Sequence, residues 1–271
     1  MENISSLNSP HIVRVKALLG PRGKKNRETE STFVVEGLQA TKSALNPKIS
    51  KGFAIKQIFL TDLGHTKLVQ AAGQELLDKF EVIKVTDQVM NSMADSQTPQ
   101  GILALASTKS FGLKQLWEIT PKRIASFWQM QDPGNAGTVI RTSDACGFDA
   151  VIFSTNSVDI FNPKTVRATV GSLWHIPVVN EVEIEDFLKD ASAQGFNIYA
   201  LCSTGSKEFK SEFIDSFTHE PTIWIFGNEA RGLPELPGEI VTVSIPMNGH
   251  AESLNVASAA AIVLHSVCIA Q

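Results

Sequence analysis

Three short stretches of this 271-residue chain carry polar and glycine residues that a packed core does not need. The first, "DPGNAGTVIRTSDACGF" (132–148), makes a tight Pro-Gly turn, and the helix start that follows leaves backbone N–H groups open to a ligand. Asn135 and Arg141 stand six positions apart, under two helical turns, so a shared target requires the loop to curl back. The second, "IWIFGNEARGLPE" (223–235), runs an apolar strand into Gly227, where the missing side chain lets a ligand approach the backbone. Glu229 follows at once and can serve as a base, a cation partner or a helix cap. The third, "SIPMNGHAESLNVASAAAIVLHS" (244–266), leads a polar loop into a helix of small apolar residues. Ser253 reads as its N-cap, with Asn255 at the second helical position and turned toward the loop.

These loops need elements to hold them. Up to residue 105, strand-like runs ("FVV", "IKQIFLTD", "EVIKVTD", "GILALAST") alternate with helical stretches (65–80 and 87–96), the pattern of a compact α/β unit. After a junction, "RIASFWQMQ", "FDAVIFS", "PVVN", "FNIYALCST", "TIWIFGN" and "EIVTVSIPM" read as strands, separated by helices that include "NPKTVRATVGSLWHI" and "VEIEDFLKDASAQG". Near-continuous apolar strands alternating with helices imply a buried, mostly parallel sheet. Such sheets bind ligands at the carboxyl ends of their strands, where "DPGNAG" and the other two loops fall. The division is two α/β domains, residues 1–107 and 123–271, joined by a linker over 108–122.

Bulk properties narrow the class. With 43% hydrophobic and 19% charged residues the chain reads as soluble and globular. Cys146, Cys202 and Cys268 form no C-x-x-C pair, so neither a zinc site nor a disulfide framework is expected, and a reducing, cytoplasmic setting fits. "MENISSLNSP" has no apolar run of the secretory kind, and the apolar stretch 256–270 is short for a membrane span. The net charge of −4 is unevenly spread. Residues 1–56 hold ten Lys and Arg against four Glu, a balance of +6, while the remainder holds 14 basic and 24 acidic residues, a balance of −10. That asymmetry points to an N-terminal surface facing phosphates. The first loop is neither G-x-G-x-x-G nor a Walker loop, which argues against a dinucleotide enzyme or a P-loop NTPase.

Together the three stretches resemble the motifs of the SpoU (TrmH-like) RNA 2′-O-ribose methyltransferases of the SPOUT class. That pattern is N-x-G-x-x-x-R, then G-N-E-x-x-G-L, then I-P-M-x-G-x-x-x-S-L-N-V. The chain has "NAGTVIR" (135–141), "GNEARGL" (227–233) and "IPMNGHAESLNV" (245–256) in that order, and the likeness covers residues 122–271. The segments "SSLNSPHIVRVKALL" and "RETESTFVVEGLQATKSAL" resemble the RNA-binding domain that precedes many such catalytic domains.

The resemblance implies an α/β fold whose C-terminal sheet, mostly parallel with flanking helices, is tied in a deep trefoil knot behind a smaller α/β RNA-binding domain. S-adenosylmethionine is the implied cofactor, contacted by Gly227, Ile245 and Leu254 largely through backbone, with Phe226 and Met247 as apolar walls. Asn135, Arg141, Glu229, Ser253 and Asn255 form the implied catalytic set, and the chemistry calls for no metal. The family proposal makes Arg141 the base. A guanidinium is effectively never deprotonated in proteins, so gripping the target phosphate and stabilising the forming alkoxide is the alternative, with Glu229 the more conventional base. A homodimer with the site near its interface is implied. Arg14, Lys16, Arg22, Lys24, Lys25 and Arg27 become the RNA grip. The two-domain layout leans toward 23S ribosomal RNA, with transfer RNA, or a non-catalytic role in RNA binding and ribosome assembly, as alternatives. His175 and His265, in apolar helical contexts, read as core or interface histidines.

Overall fold

The computed structural model describes residues 2–46, 53–108, 111–214, 220–228 and 231–270. In chain order these form β1 (Glu2–Ile4), α1 (Pro10–Leu19), α2 (Gly23–Glu30), β2 (Thr32–Glu36), α3 (Leu38–Leu45), β3 (Ile55–Leu60), α4 (Asp62–Ala72), α5 (Gln74–Leu77), β4 (Val82–Val85), α6 (Asp87–Met93) and β5 (Ile102–Ser107). Then follow α7 (Leu113–Glu118), β6 (Arg123–Phe127), α8 (Pro133–Ala145), β7 (Ala150–Ser154), α9 (Pro163–Thr169), a 3-10 turn (Ser172–Trp174), β8 (Val178–Val182) and α10 (Ile184–Ala193). The chain ends with β9 (Asn197–Leu201), β10 (Lys207–Glu208), α11 (Ser211–Ile214), β11 (Thr222–Phe226), β12 (Ile240–Ser244) and α12 (Val256–Ile269). They divide into two compact units, one of Met1–Ser110 with Asp159–His175 and one of Phe111–Val158 with Ile176–Gln271.

The first unit is built on a five-stranded sheet of order β1-β4-β3-β5-β2, parallel from β1 to β3 and antiparallel at β5. The basic segment is folded into the unit. Ile12, Val15 and Leu18 recur every third residue and are buried, so α1 packs as an amphipathic helix into a core with Phe59, Ile83 and Met90. The helix expected over 65–80 is interrupted at Gly73, whose φ of 88° ends α4 before α5 begins. Residues 159–175, which the sequence places with the second half, belong to this unit for a packing reason. Phe161 lies 4.8 Å from Phe33 and 5.4 Å from Phe53, and the Trp174 indole N–H donates to the Phe53 carbonyl at 2.9 Å. The single helix expected over 162–176 also breaks. α9 stops at Thr169, because Val170 and Gly171 take positive φ of 52° and 100°.

The second unit carries a seven-stranded sheet of order β10-β12-β9-β11-β6-β7-β8, in which every neighbouring pair is parallel. β7 and β11 are buried at all five positions, as an apolar run covered on both faces requires. Ile124, Ile152, Phe187, Leu188, Ile198 and Ile225 form the centre of one core cluster. Two helix starts differ from expectation. "DPGNAG" is not a loop: Asp132 caps α8, its Oδ1 accepting from Asn135 N at 2.8 Å, and Pro133 occupies the first helical position. Asn255, not Ser253, caps α12, its Oδ1 accepting from Ala257 N at 2.9 Å and Ser258 N at 3.3 Å.

Candidate functional site

Because the strands are parallel, β12, β9, β11 and β6, consecutive in the sheet, release their following loops at one edge. Three of those loops and the start of α12 enclose a cleft of about 310 Å³. Leu201, Cys202 and Ser203 come from the end of β9, Phe226, Gly227 and Asn228 from β11, and Ile245 and Met247 from β12. Glu252, Ser253, Leu254, Val256 and Ala259 close it from the α12 side, with Gly232 opposite. Phe226 itself is buried, stacked on Phe127 with ring centroids 5.0 Å apart, so it is fixed by the core.

The loop after β11 is held tightly. Asn228 and Gly232 exchange two backbone hydrogen bonds of 3.0 and 2.9 Å, and the Asn228 Oδ1 accepts from Arg231 N at 3.1 Å. Asn228 Nδ2 donates to the Gln129 carbonyl at 2.8 Å, reaching the loop after β6, where Gln129 takes a φ of 45°. A Cβ at Gly227 would stand 2.7 Å from the Gly232 carbonyl carbon and 3.0 Å from Leu233 N, closer than real contacts allow. The glycine is required by this approach of backbone to backbone.

α8 and α12 pack side by side in the same direction. At their starts Asn255 Nδ2 donates to Asn135 Oδ1 at 3.3 Å. Near the end of α8, burial first and then the electrostatic influence of Cys268 pushes the Cys146 thiol above its ordinary pKa. Two helix N-termini therefore open at the same place, which favours a negatively charged group there.

The five residues expected at the cofactor, Phe226, Gly227, Ile245, Met247 and Leu254, all line the one cleft, as does Ser253. Asn135 and Asn255 meet beside it. Arg141 is exposed, six residues beyond Asn135 on α8, and does not line the cleft; among the described residues it has no ion-pair partner. Glu229 lies outside the described residues. Sequence reasoning missed Cys202 and Ser203. The end of β9 is a strand end like the others, and that rule alone would have found Cys202 and Ser203. His175 lies against the Ser43 hydroxyl at 3.0 Å and His265 is exposed on α12, so His265 is no core residue.

Of the expected RNA grip, Lys16, Arg22, Lys24 and Lys25 are exposed, and Arg14 pairs with Glu30 at 2.6 Å. Arg27 must be withdrawn from it. Its guanidinium is buried, paired with Asp159 Oδ2 at 2.5 Å through Nη2 and 3.1 Å through Nε, and bonded to the Leu18 carbonyl. Among the described residues no group of three or more His, Cys, Asp or Glu could hold a metal, and no helix is long and apolar enough to cross a membrane.

Comparison with known proteins adds to this geometry. The SpoU rRNA Methylase family matches residues 122–265, and the MRM3-like substrate binding domain matches residues 12–104. The chain is 32% identical over 267 residues to the 23S rRNA (guanosine(2553)-2'-O)-methyltransferase RlmP of Bacillus subtilis, covering 98% of each. It is 30% identical to the 23S rRNA (uridine(2479)-2'-O)-methyltransferase of Streptomyces viridochromogenes, over 92% of this chain and 86% of that one. An AdoMet-bound rRNA methyltransferase from Sinorhizobium meliloti has the same fold, with a TM-score of 0.80 at 28% identity, over 98% of this chain and 97% of the other.

Proposed function

The chain belongs to the SpoU rRNA methylase family, and we propose from that premise that it methylates a ribose 2′-hydroxyl of 23S ribosomal RNA, in the cytoplasm, using S-adenosylmethionine. The observation that carries this reading is the cleft at the strand ends, in which all five residues expected at the cofactor meet. Its lining suits such a molecule. Leu201, Phe226, Ile245, Met247 and Leu254 offer apolar walls, Gly227 and Gly232 bare backbone, and Ser203, Ser253 and Glu252 hydrogen-bonding groups. Bound there, the cofactor supplies a methyl group on an activated sulfonium.

The chain's own residues then have to align the attacking oxygen and take its proton. Asn135 and Ser253 orient the ribose. Arg141 holds the adjoining phosphate through paired N–H donors and stabilises the forming alkoxide. Proton removal falls to Glu229, since a carboxylate is ionised at neutral pH and a guanidinium does not give up its proton. Transfer of labelled methyl from S-adenosylmethionine into unmodified 23S rRNA, with nuclease mapping of the product, tests the whole reading. Cofactor binding without a labelled 2′-O-methyl nucleotide would sink it.

The proposal includes a homodimer and the family's trefoil knot formed by the last segment. Ser258, Ile262, His265 and Ile269 are exposed at spacings of four, three and four, one stripe of α12. Ile262 and Ile269 are 42% and 69% exposed, an apolar face suited to a second copy. On its other side α12 is buried through Ala257, Ala260, Val263 and Leu264, and its small residues let chain pass close to chain.

Two expected outcomes check the parts. Gly227→Ala must displace the turn against Gly232, and S-adenosylhomocysteine affinity is expected to fall roughly ten- to a hundredfold, as for 1–3 kcal/mol of overpacking; calorimetric titration reads it. The first unit is proposed to grip RNA through Arg22, Lys24 and Lys25. Their triple alanine variant is expected to flatten the salt dependence of RNA binding by about two units of slope. Identical slopes for the two proteins would remove these residues from the grip.

A further inference from the structure

The loop between β6 and α8 holds one carboxamide by both of its N–H groups. Gln131 Nε2 donates to the Gln129 carbonyl at 2.9 Å and to the Asn156 carbonyl at 2.8 Å. Both carbonyls belong to left-handed residues, with φ of 45° at Gln129 and 62° at Asn156, a conformation disfavoured wherever there is a Cβ. The turn at Gln129 is itself secured, its N–H donating to the buried Ser154 hydroxyl at 2.8 Å. An NH2 group has two protons to give, and here both are taken. Turning the amide over would set its oxygen against two carbonyl oxygens, so only one orientation is available. What Gln131 shows is an acceptor alone. The side chain is exposed, and among the described residues no donor meets that oxygen. Its place is as well defined. Gln131 directly precedes Asp132, the cap of α8, and Asn135 follows within the first turn of that helix. The Gln129 carbonyl also accepts from Asn228 Nδ2 at 2.8 Å, and Asn228 lines the cleft. The held amide therefore stands within two hydrogen-bond lengths of a cleft residue.

We propose that Gln131 is a specificity-determining residue: its fixed oxygen accepts a hydrogen bond from an N–H on the edge of the target base. The assignment rests on the RNA methylation and the ribose at Asn135 proposed above. Phosphate oxygens accept and cannot donate, so an outward acceptor is of no use as a backbone grip. A held acceptor discriminates because no two bases place the same donors at the same point. Within the purines, or within the pyrimidines, a change of base exchanges carbonyl for amino group and ring N–H for bare ring nitrogen. Between the two classes the edge moves by the width of a ring.

The experiment takes the methylated position mapped above and prepares four 23S rRNA transcripts, one with each base there. It measures kcat/KM on all four, and S-adenosylhomocysteine binding, for wild type, Gln131→Ala and Gln131→Glu. Wild type is expected to favour the mapped base by roughly ten- to a hundredfold, the size of one hydrogen bond and the mispairing that replaces it. Gln131→Ala is expected to lose that advantage on the mapped base alone, with the other three transcripts and cofactor binding unchanged. Gln131→Glu keeps an accepting oxygen but has no N–H for the two carbonyls, so the oxygen is no longer held, and the advantage is expected to go as well. An equal fall on all four transcripts would make Gln131 a tie between loops, or an acceptor for a sugar hydroxyl that every nucleotide carries, and overturn the inference. So would an alanine variant, or a Glu variant, with the wild-type preference, or a wild type with none. A wild-type protein that binds cofactor and transfers no methyl group defeats the functional reading itself, and the inference with it.

Discussion

Arg141→Ala is expected to cut methyl transfer by roughly a hundred- to a thousandfold, the cost of removing a group that stabilises developing charge, and to leave the unfolding midpoint where it was. The second half of that outcome follows from the packing. α8 buries Ala136, Gly137, Val139, Ile140 and Ser143, while Arg141 is exposed and bears none of that contact. Its loss therefore removes chemistry without removing support. Arg141→Lys keeps the charge and loses the planar pair of donors, so it is expected to restore only part of the rate. Single-turnover transfer into 23S rRNA reads both variants. An alanine variant that turns over like wild type would show that Arg141 neither holds the phosphate nor stabilises the alkoxide.

Arg27→Ala is the largest expected loss of stability, about 3–5 kcal/mol, because it strips the partner from a buried carboxylate. The Arg27 and Asp159 side chains are only 6% and 13% exposed, and Asp159 Oδ2 accepts two of the guanidinium's bonds. Arg27 also satisfies the Leu18 carbonyl near the end of α1, so the substitution leaves a second acceptor without its donor. Arg27→Met fills the space but leaves the carboxylate without a counter-charge, held by the Phe161 N–H, and is expected to recover little. Arg27→Met combined with Asp159→Leu removes the lone charge and is expected to recover part of it, the remainder being lost with the Asp159 Oδ1 that accepts from Phe161 N at 2.8 Å and with the donor to the Leu18 carbonyl. Hydrogen exchange under native conditions localises the effect, which belongs to the first unit. A uniform change below about 1 kcal/mol, the level of an exposed pair, would show that the pair is solvated.

The contrast between these two arginines marks how far the sequence reaches. The parallel sheet was legible, since strands such as β7 and β11 are unbroken apolar runs and only a buried parallel strand tolerates them. So was the gathering of Phe226, Gly227, Ile245, Met247 and Leu254, which the resemblance to the SpoU motifs implies. Local signals were also misread where two neighbours compete. Ser253 and Asn255 are both good caps, and what decides is burial, which begins at Val256. Asp132-Pro133 is a helix start, yet Pro-Gly suggests a turn until the helix behind it is seen. Among the charges of residues 14–27, the Ile12, Val15, Leu18 stripe that makes α1 a packed helix is a weak signal. The fate of Arg27 was not legible at all. Nothing near it announces a carboxylate 132 positions later, and only the tertiary fold brings the two together.

That separation has a consequence in time. Chains emerge from synthesis at about 5–20 residues per second, so Asp159 is made roughly 7 to 26 seconds after Arg27. Throughout that interval α1, α2 and the first sheet can gather, but the guanidinium has no carboxylate, and Phe33 and Phe53 lack the Phe161 and Trp174 rings that cover them. The first unit cannot complete until after synthesis of the second has begun, because its last segment follows residues 111–158. It closes only when residues 159–175, which lie between two stretches of the second unit, have been made, which ties the maturation of one unit to that of the other.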